Sequence, residues 1–300
     1  MIFNSIYYNI KPILPRRMQI FVRRIYVKAL RVFYPDWPIM NDSVVMPTGW
    51  PGWPEGKTFA FILTHDVETD LGQDRCLRLM EIEKQLGFIS SFNFVPERYD
   101  VSESLRNEIV RNGYEVGVHD LKHDGKLYVS REKFIKLAER INNYLKSWNS
   151  VGFRSGAMHH NLDWLHMLDV EYDASTFEFD PFEPQSDGVK SIFPFWVQSN
   201  ENGNGYMELP YTLPQDFTVF ISLREKNIDI WKKKLDWVAS HGGMALLITH
   251  PDYMNFGDHK VMFDEYPASF YSDLLKYVKT RYPGQYWNVL PREVARTYKK

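Results

Sequence analysis

The sequence contains almost no cysteine, because Cys76 is the only one in 300 residues. A disulfide framework within the chain is therefore excluded, and the composition fits a reducing compartment, so we expect a cytoplasmic protein. Cys76 lies in a helical pattern with no histidine near it in the sequence. We interpret it as a packing residue and not as a nucleophile.

Long apolar runs and a strong net charge are also missing. No run approaches the roughly 20 apolar residues that a helix needs to span a bilayer. The first apolar stretches are short and are broken by Lys, Arg and Pro, which is unlike a secretion signal. The formal net charge is only -2, so the overall charge does not indicate a nucleic-acid partner.

Residues 1–40 differ from the rest of the chain in charge and pattern. They contain seven Lys or Arg residues, one acid (Asp36) and many apolar residues between the charges. This pattern predicts a basic amphipathic helix, and residues 1–34 could lie on an anionic membrane surface, peripherally at the inner face. A helix packed on the body with a solvated basic edge explains the pattern equally well. Residues 41–57, rich in Pro, Gly and Trp, are interpreted as a linker, which leaves 58–300 as the main domain.

In the main domain, short apolar runs alternate with helical patterns. The candidate strands are 59–66, 91–96, 114–119, 151–156, 170–175, 218–223, 245–250 and 286–290. The candidate helices lie near 73–86, 103–112, 130–147, 161–168, 227–240, 267–281 and 291–299. The alternation predicts an α/β fold with a parallel sheet, and seven or eight such units favour a (β/α) barrel. An open doubly wound sheet is the alternative, although no glycine-rich nucleotide signature follows the first strand.

Polar residues of several chemical types fall at the ends of the candidate strands, where α/β barrels build their active sites. Asp66 and Glu68 would point the same way on an extended backbone, so one could hold a cation and the other accept a proton. His119 and His123 are four residues apart, and a helical turn would place them on one face, which suits a shared metal ion. A solvated turn and a pair of unrelated loop histidines are the competing interpretations.

Further candidates lie later in the chain. His250 leaves an apolar strand and could act as a general acid or base, unless it is a satisfied structural histidine. Arg154 could orient a carboxylate with its planar guanidinium group. Tyr211 and Gln215 lie in a proline-rich loop and are candidate sugar contacts, with an ordinary rigid connection as the alternative.

Four elements in this order resemble the polysaccharide deacetylase family, carbohydrate esterase family 4 (NodB-like): Thr64-His65-Asp66-Val67-Glu68, His119-x-x-x-His123, Arg154-x-Gly156 and Leu247-Ile248-Thr249-His250. The resemblance covers roughly residues 58–290. It implies a distorted (β/α) barrel, a divalent metal ion, usually zinc, and hydrolysis of the acetamide of an N-acetylated sugar or polysaccharide precursor. An amidase acting on a cyclic imide or ureide, and a catalytically silent glycan-binding protein, are the alternatives.

The resemblance also implies a role for each matched residue: base for Asp66, metal ligands for His119 and His123, orientation of the base for Arg154, and general acid for His250. The first element departs from the family's commonest form, which has two adjacent aspartates, because Val67 occupies the second position. Glu68 then becomes the metal carboxylate, and Asp66 is the alternative ligand. The further acid that tunes the late histidine would be Asp180 or Asp173.

Overall fold

The computed structural model describes residues 15–199 and 205–299, and the centre of the described part is a nine-stranded sheet. The strands, in chain order, are β1 Phe59–Val67, β2 Ser90–Phe94, β3 Glu115–His119, β4 Gly152–Arg154, β5 Tyr172–Asp173, β6 Phe195–Gln198, β7 Gly205–Glu208, β8 Met244–Thr249, β9 Met254–Asn255, β10 Tyr266–Pro267 and β11 Tyr286–Trp287. β9 and β10 pair with each other, and the other nine strands form the sheet. The helices are α1 Arg16–Arg31, α2 Asp70–Leu86, α3 Glu103–Arg111, α4 Arg131–Trp148, α5 Leu162–Leu165, α6 Asp229–Ser240, α7 Ser269–Arg281 and α8 Pro291–Tyr298.

The strands are parallel except for the pair β6 and β7, and the sheet is curled into a distorted barrel. β1 lies at its centre, between β2 on one side and β8 on the other. All nine residues of β1 and all six of β8 are buried, as expected for parallel strands that are covered on both faces. The α/β class and the barrel predicted from the alternation are therefore confirmed.

The helices begin and end where the sequence provides caps. The side chains of Thr69, Ser102 and Ser130 accept hydrogen bonds from backbone N–H groups in the first turns of α2, α3 and α4. α2 ends at Gly87, which has the left-handed conformation that glycine adopts without strain. α4 buries the apolar residues at spacings of three and four that predicted it, namely Phe134, Ala138, Ile141 and Leu145.

The sixth predicted strand, 218–223, is wrong, because the chain forms a buried π-helix over Phe217–Ser222. The barrel is completed instead by the hairpin β6–β7 and by the segment that follows it. Tyr211 forms a parallel bridge with Phe177, and Leu213 forms one with Leu247 of β8. The apolar run after residue 216 therefore fills the core as a helix, while the preceding proline-rich segment occupies the strand position.

The N-terminal segment contains the predicted helix as α1, although residues 1–14 lie outside the described residues. α1 packs against the π-helix and buries Ile20 and Val27. The segment 41–57 also lies on the barrel, where Trp53 is buried and donates its indole N–H to the Gly242 carbonyl at 2.7 Å. Among the described helices, none is both long and apolar enough to cross a membrane.

Candidate metal centre and active site

Three side chains that could bind one metal ion meet at the carboxyl ends of the strands. Glu68, His119 and His123 each offer a ligand atom, and these atoms lie within 4.8 Å of one another. The His123 Nε2 atom is 3.3 Å from Glu68 Oε1. His119 is buried, whereas Glu68 and His123 are partly exposed, so the cluster is accessible from the solvent side. Two histidines and one carboxylate suit zinc and leave positions for water and substrate.

A loop brings the two histidines together, and not the helical turn that their spacing predicted. His119 is the last residue of β3, and residues 120–124 are irregular. Asp120 and His123 have positive φ angles of 56° and 53°, a conformation that costs free energy for residues other than glycine. These two residues turn the chain back, so that His123 returns to the end of the strand that carries His119.

The backbone around Arg154 positions both histidines. His119 Nδ1 lies 3.1 Å from the Arg154 carbonyl oxygen, so we assign the tautomer that donates from Nδ1 and leaves the Nε2 lone pair for a metal. A Cβ atom on Gly156 would lie 2.5 Å from Asp120 Oδ2 and 2.9 Å from His123 Cδ2. Glycine two residues after Arg154 therefore leaves the space that His123 occupies.

Asp66 is held beside the metal candidates by two hydrogen-bond donors. Arg154 Nη1 and Asn93 Nδ2 both donate to Asp66 Oδ1, each at 2.9 Å. The other oxygen, Oδ2, is 3.9 Å from His119 Nε2. Burial acts to raise the pKa of Asp66, but Arg154, then His119 and His250, together hold that pKa below its ordinary value. Asp66 is therefore an ionised carboxylate beside the histidine cluster.

Glu68 directs its two oxygens to opposite groups of cations. Oε1 is 3.3 Å from His123 Nε2 and 3.9 Å from His250 Nε2, while Oε2 is 3.5 Å from Arg98 Nη1. Burial acts to raise the pKa of Glu68, yet these neighbours, His123 first among them, lower it overall. The three-residue cluster contains Glu68 and not Asp66, which favours Glu68 as the metal carboxylate.

Asp252 fixes the backbone that carries Glu68. Its Oδ2 accepts a hydrogen bond from the Glu68 N–H at 3.0 Å, and its Oδ1 accepts one from the Thr69 hydroxyl. A Cβ atom on Gly72 would lie 2.2 Å from Asp252 Oδ2, so only glycine leaves room for this carboxylate. The segment after β8 is thereby tied to the end of β1.

His250 has a carboxylate partner that sequence reasoning missed. Its Nδ1 is 2.6 Å from Asp216 Oδ1, and its backbone N–H donates to Asp216 Oδ2 at 2.7 Å. Burial acts to lower the pKa of His250, but the charge and hydrogen bond of Asp216 outweigh it and raise the pKa to about 10. Asp216 therefore takes the position expected for Asp180 or Asp173. The only sequence signal was an acid at the end of the proline-rich loop.

Asp180 instead belongs to a second polar cluster. The Tyr211 hydroxyl lies 2.8 Å from Glu183 Oε1 and 3.1 Å from Asp180 Oδ2, and Gln215 Nε2 donates to Glu183 Oε1 at 2.7 Å. Burial raises the pKa of Asp180 to about 6, and burial together with the Asp180 charge raises that of Glu183 to about 7. Tyr211 is only 2% exposed and its hydroxyl contacts these acids, so a sugar contact of Tyr211 stays a prediction.

A cavity of about 550 Å³ joins these groups. It is lined by Asp66, Glu68, His119, His123 and His250, and also by Glu183 and Gln215 of the second cluster. A volume of this size accommodates a small molecule such as a sugar unit. An ionised carboxylate, a cationic imidazole and three candidate metal ligands thus face one space, and metal-assisted amide hydrolysis uses groups of these kinds. Gln215 stays a candidate for substrate contact.

Comparisons with known proteins identify the fold. No model of a protein family matches the sequence, and no curated protein matches it. Among solved structures, a protein assigned as a polysaccharide deacetylase from Mycobacterium smegmatis matches with a TM-score of 0.60 at 16% identity, over 82% of this chain and 92% of its own. The Puue allantoinase matches with a TM-score of 0.60 at 13% identity, over 81% and 91%.

A third match extends the same result. A protein assigned as a polysaccharide deacetylase from Pseudomonas aeruginosa PAO1 has a TM-score of 0.60 at 13% identity, over 81% of this chain and 92% of its own. Identities this low establish similarity of fold and not of activity. The chain therefore has the distorted-barrel fold shared by proteins assigned as polysaccharide deacetylases, as its sequence motifs implied.

Proposed function

We propose that the protein is a metal-dependent deacetylase that hydrolyses the acetamide of an N-acetylated sugar or glycan and releases acetate. The observation that carries this proposal is the meeting of Glu68, His119 and His123 within 4.8 Å. Asp66 and His250 line the same cavity as this cluster. The fold shared with proteins assigned as polysaccharide deacetylases supports the same conclusion.

The donor set fits a divalent cation, with zinc as the best candidate. Glu68, His119 and His123 would hold it, and the Nδ1 contact of His119 with a carbonyl oxygen is the usual support for a metal-binding imidazole. When bound, the cation would supply Lewis-acid polarisation of the amide carbonyl and acidification of water. The other residues of the cavity move the protons.

Asp66 and His250 divide the proton transfers in this proposal. Asp66 is ionised because Arg154 and Asn93 donate to it, so it can accept the proton of the attacking water. His250 is cationic near neutral pH because of Asp216, and its Nε2 faces Glu68 across the cavity. An expelled amine leaves only when it is protonated, so His250 donates that proton to the sugar nitrogen.

The test combines metal analysis with acetate release from chitin oligomers. The zinc-loaded protein should contain about one ion per chain and release acetate together with a free amine. His119→Ala and His123→Ala should lose the metal, and Glu68→Gln should bind it more weakly. Asp66→Asn should keep the metal but lose turnover by roughly 10²–10⁴-fold. If Asp66→Asn instead loses the metal while Glu68→Gln keeps it, the two roles are reversed.

Allantoin provides the second arm of the test, because the allantoinase has the same fold and the cyclic-amide alternative remains open. Opening of the allantoin ring without acetate release from any glycan would replace the deacetylase proposal. A protein that binds the metal and chitin oligomers but turns over neither substrate would instead be a glycan-binding protein.

A further inference from the structure

Helix α1 presents an apolar face to solvent. Met18, Phe21, Val22 and Ile25 recur at spacings of three and four residues, so they lie on one side of the helix. All four are exposed, and Phe21 is 62% exposed. Val32 and Phe33 extend the same surface beyond the helix and are 76% and 77% exposed. A contiguous apolar surface of this kind on a protein exterior marks a contact with another apolar phase.

Three of the arginines of the same helix contact the barrel. Arg24 Nε donates to the Ile221 carbonyl at 2.8 Å, and Arg16 Nε donates to Asp264 at 3.1 Å. Arg23 donates to the Phe182 carbonyl. Ile20 and Val27 on this side are buried against the barrel, so the helix packs by one side and leaves a second apolar face exposed. Hydrogen bonds of the arginines hold the apolar face outward.

The charge around this face selects an anionic bilayer as its occupant. Three arginines of α1 bond to the barrel, but residues 1–35 contain no Asp or Glu that would offset the exposed cations. Arg17 and Lys28 are both exposed on α1. A second copy of the chain would bring the same cations together, whereas anionic lipid headgroups attract them while the acyl region receives the phenylalanines.

The opposite side of α1 forms part of the cavity wall. Arg16, Gln19, Ile20 and Arg23 line the cavity that contains the candidate metal ligands. A helix with its side chains is only about 10 Å across, so a bilayer on the outer face of α1 would lie next to the mouth of the cavity. Soluble oligosaccharides would gain nothing from this arrangement.

We infer that the apolar face of α1, formed by Met18, Phe21, Val22, Ile25, Val32 and Phe33, docks on an anionic phospholipid bilayer and presents the cavity to N-acetylated sugars carried by membrane lipids. The substrate class rests on the proposed deacetylase function, whereas the docking does not. Docking raises the local concentration of a lipid-borne substrate at the cavity and leaves the chemistry of the site unchanged.

Vesicle sedimentation tests the docking without any assay of activity. The full chain should bind vesicles of equal parts phosphatidylcholine and phosphatidylglycerol, and bind pure phosphatidylcholine less. The variant Phe21→Ser/Ile25→Ser should lose affinity by about tenfold or more, because two large apolar side chains no longer enter the bilayer. The control Val110→Ser/Val129→Ser removes exposed apolar side chains elsewhere and should bind like the wild type.

Equal vesicle binding by the Phe21/Ile25 variant would overturn the docking proposal. So would a dimer in sedimentation equilibrium that the variant abolishes, together with no vesicle binding by the wild type. The first result would mean that vesicles bind elsewhere on the protein, and the second would assign the face to a second copy of the chain.

An activity comparison then tests the substrate class. On an N-acetylglucosaminyl lipid in these vesicles, the Phe21/Ile25 variant should lose about tenfold in kcat/KM relative to the wild type. On soluble chitin oligomers the two proteins should be equal. Equal losses on both substrates, or none on the lipid, would overturn the substrate class. If the wild type turns over neither substrate, the deacetylase proposal fails. The sedimentation result would still decide the docking.

Discussion

At the level of single residues, the charge of His250 depends on a carboxylate that lies 34 positions earlier in the chain. The position of His250 at a strand end could be predicted from the sequence. Its partner Asp216 could not, because contact between them requires the proline-rich segment to occupy a strand position of the barrel. Asp180, the expected partner, lies in a proline-containing segment like that of Asp216, so composition does not distinguish the two acids. Only the fold brings Asp216, and not Asp180, to His250.

Asp216→Asn tests this dependence directly. NMR titration of the metal-free protein should give His250 a pKa near 10 in the wild type and a much lower one in the variant, because burial then acts without the opposing charge. In the wild type the raised pKa of His250 stabilises the fold, and this contribution is complete at pH values below the ordinary pKa of histidine. It is lost as the pH rises through about 10. A pKa that does not change in Asp216→Asn would contradict the assignment.

Gly156→Ala tests the space reserved for His123. The added methyl group would meet Asp120 and His123 at 2.5 and 2.9 Å, so metal affinity should fall by about tenfold to a hundredfold, the range of outer-shell substitutions. Gly243→Ala is the matched control, since its methyl group would meet the Ile192 side chain at 2.6 Å in another part of the barrel. The control should lose stability and keep its metal affinity, as measured by competition with a zinc chelator.

At the level of elements, the strands and helices with clear periodicity could be predicted, and the irregular ones could not. The apolar run at 218–223 satisfied the strand pattern, yet it forms a buried π-helix. A short run that is apolar on all sides fits a buried strand or a buried helix equally well, so periodicity cannot distinguish them. The pair β6–β7 was missed although the sequence between the strands contains Asn202-Gly203, a typical hairpin turn signal.

The junction between β1 and α2 carries an element-level prediction. Thr69 caps α2 and also donates to Asp252, which in turn accepts the Glu68 N–H. Thr69→Val should therefore cost about 1–2 kcal/mol of stability and also weaken metal binding. Ser130→Ala removes the cap of α4 and should cost about 1 kcal/mol with no change in metal affinity. Stability is measured by denaturant unfolding. If both variants lose stability but bind the metal with equal affinity, Thr69 acts only as a cap.

At the level of the whole molecule, the site is assembled from segments far apart in the sequence. Glu68 follows β1, His119 ends β3 with His123 in the loop after it, and His250 follows β8. Their meeting could be predicted because parallel strands of a barrel present their carboxyl ends to one side. The motifs also named the three residues of the cluster. The way in which they meet could not be predicted, since it depends on the left-handed turns at Asp120 and His123 and on the contact between Asp252 and the Glu68 backbone.

This assembly predicts that metal binding and global stability are coupled. A ligand that binds only the folded chain at a hundredfold excess over its Kd adds about 2.7 kcal/mol to the free energy of unfolding, which is several degrees in Tm for a chain of this size. Zinc should raise the Tm of the wild type by that amount and leave that of His119→Ala unchanged. Because histidines bind metal only in the neutral form, the zinc-dependent increase should shrink as the pH is lowered. A Tm that responds equally to zinc in the wild type and in His119→Ala would mean that the ion binds outside the proposed site.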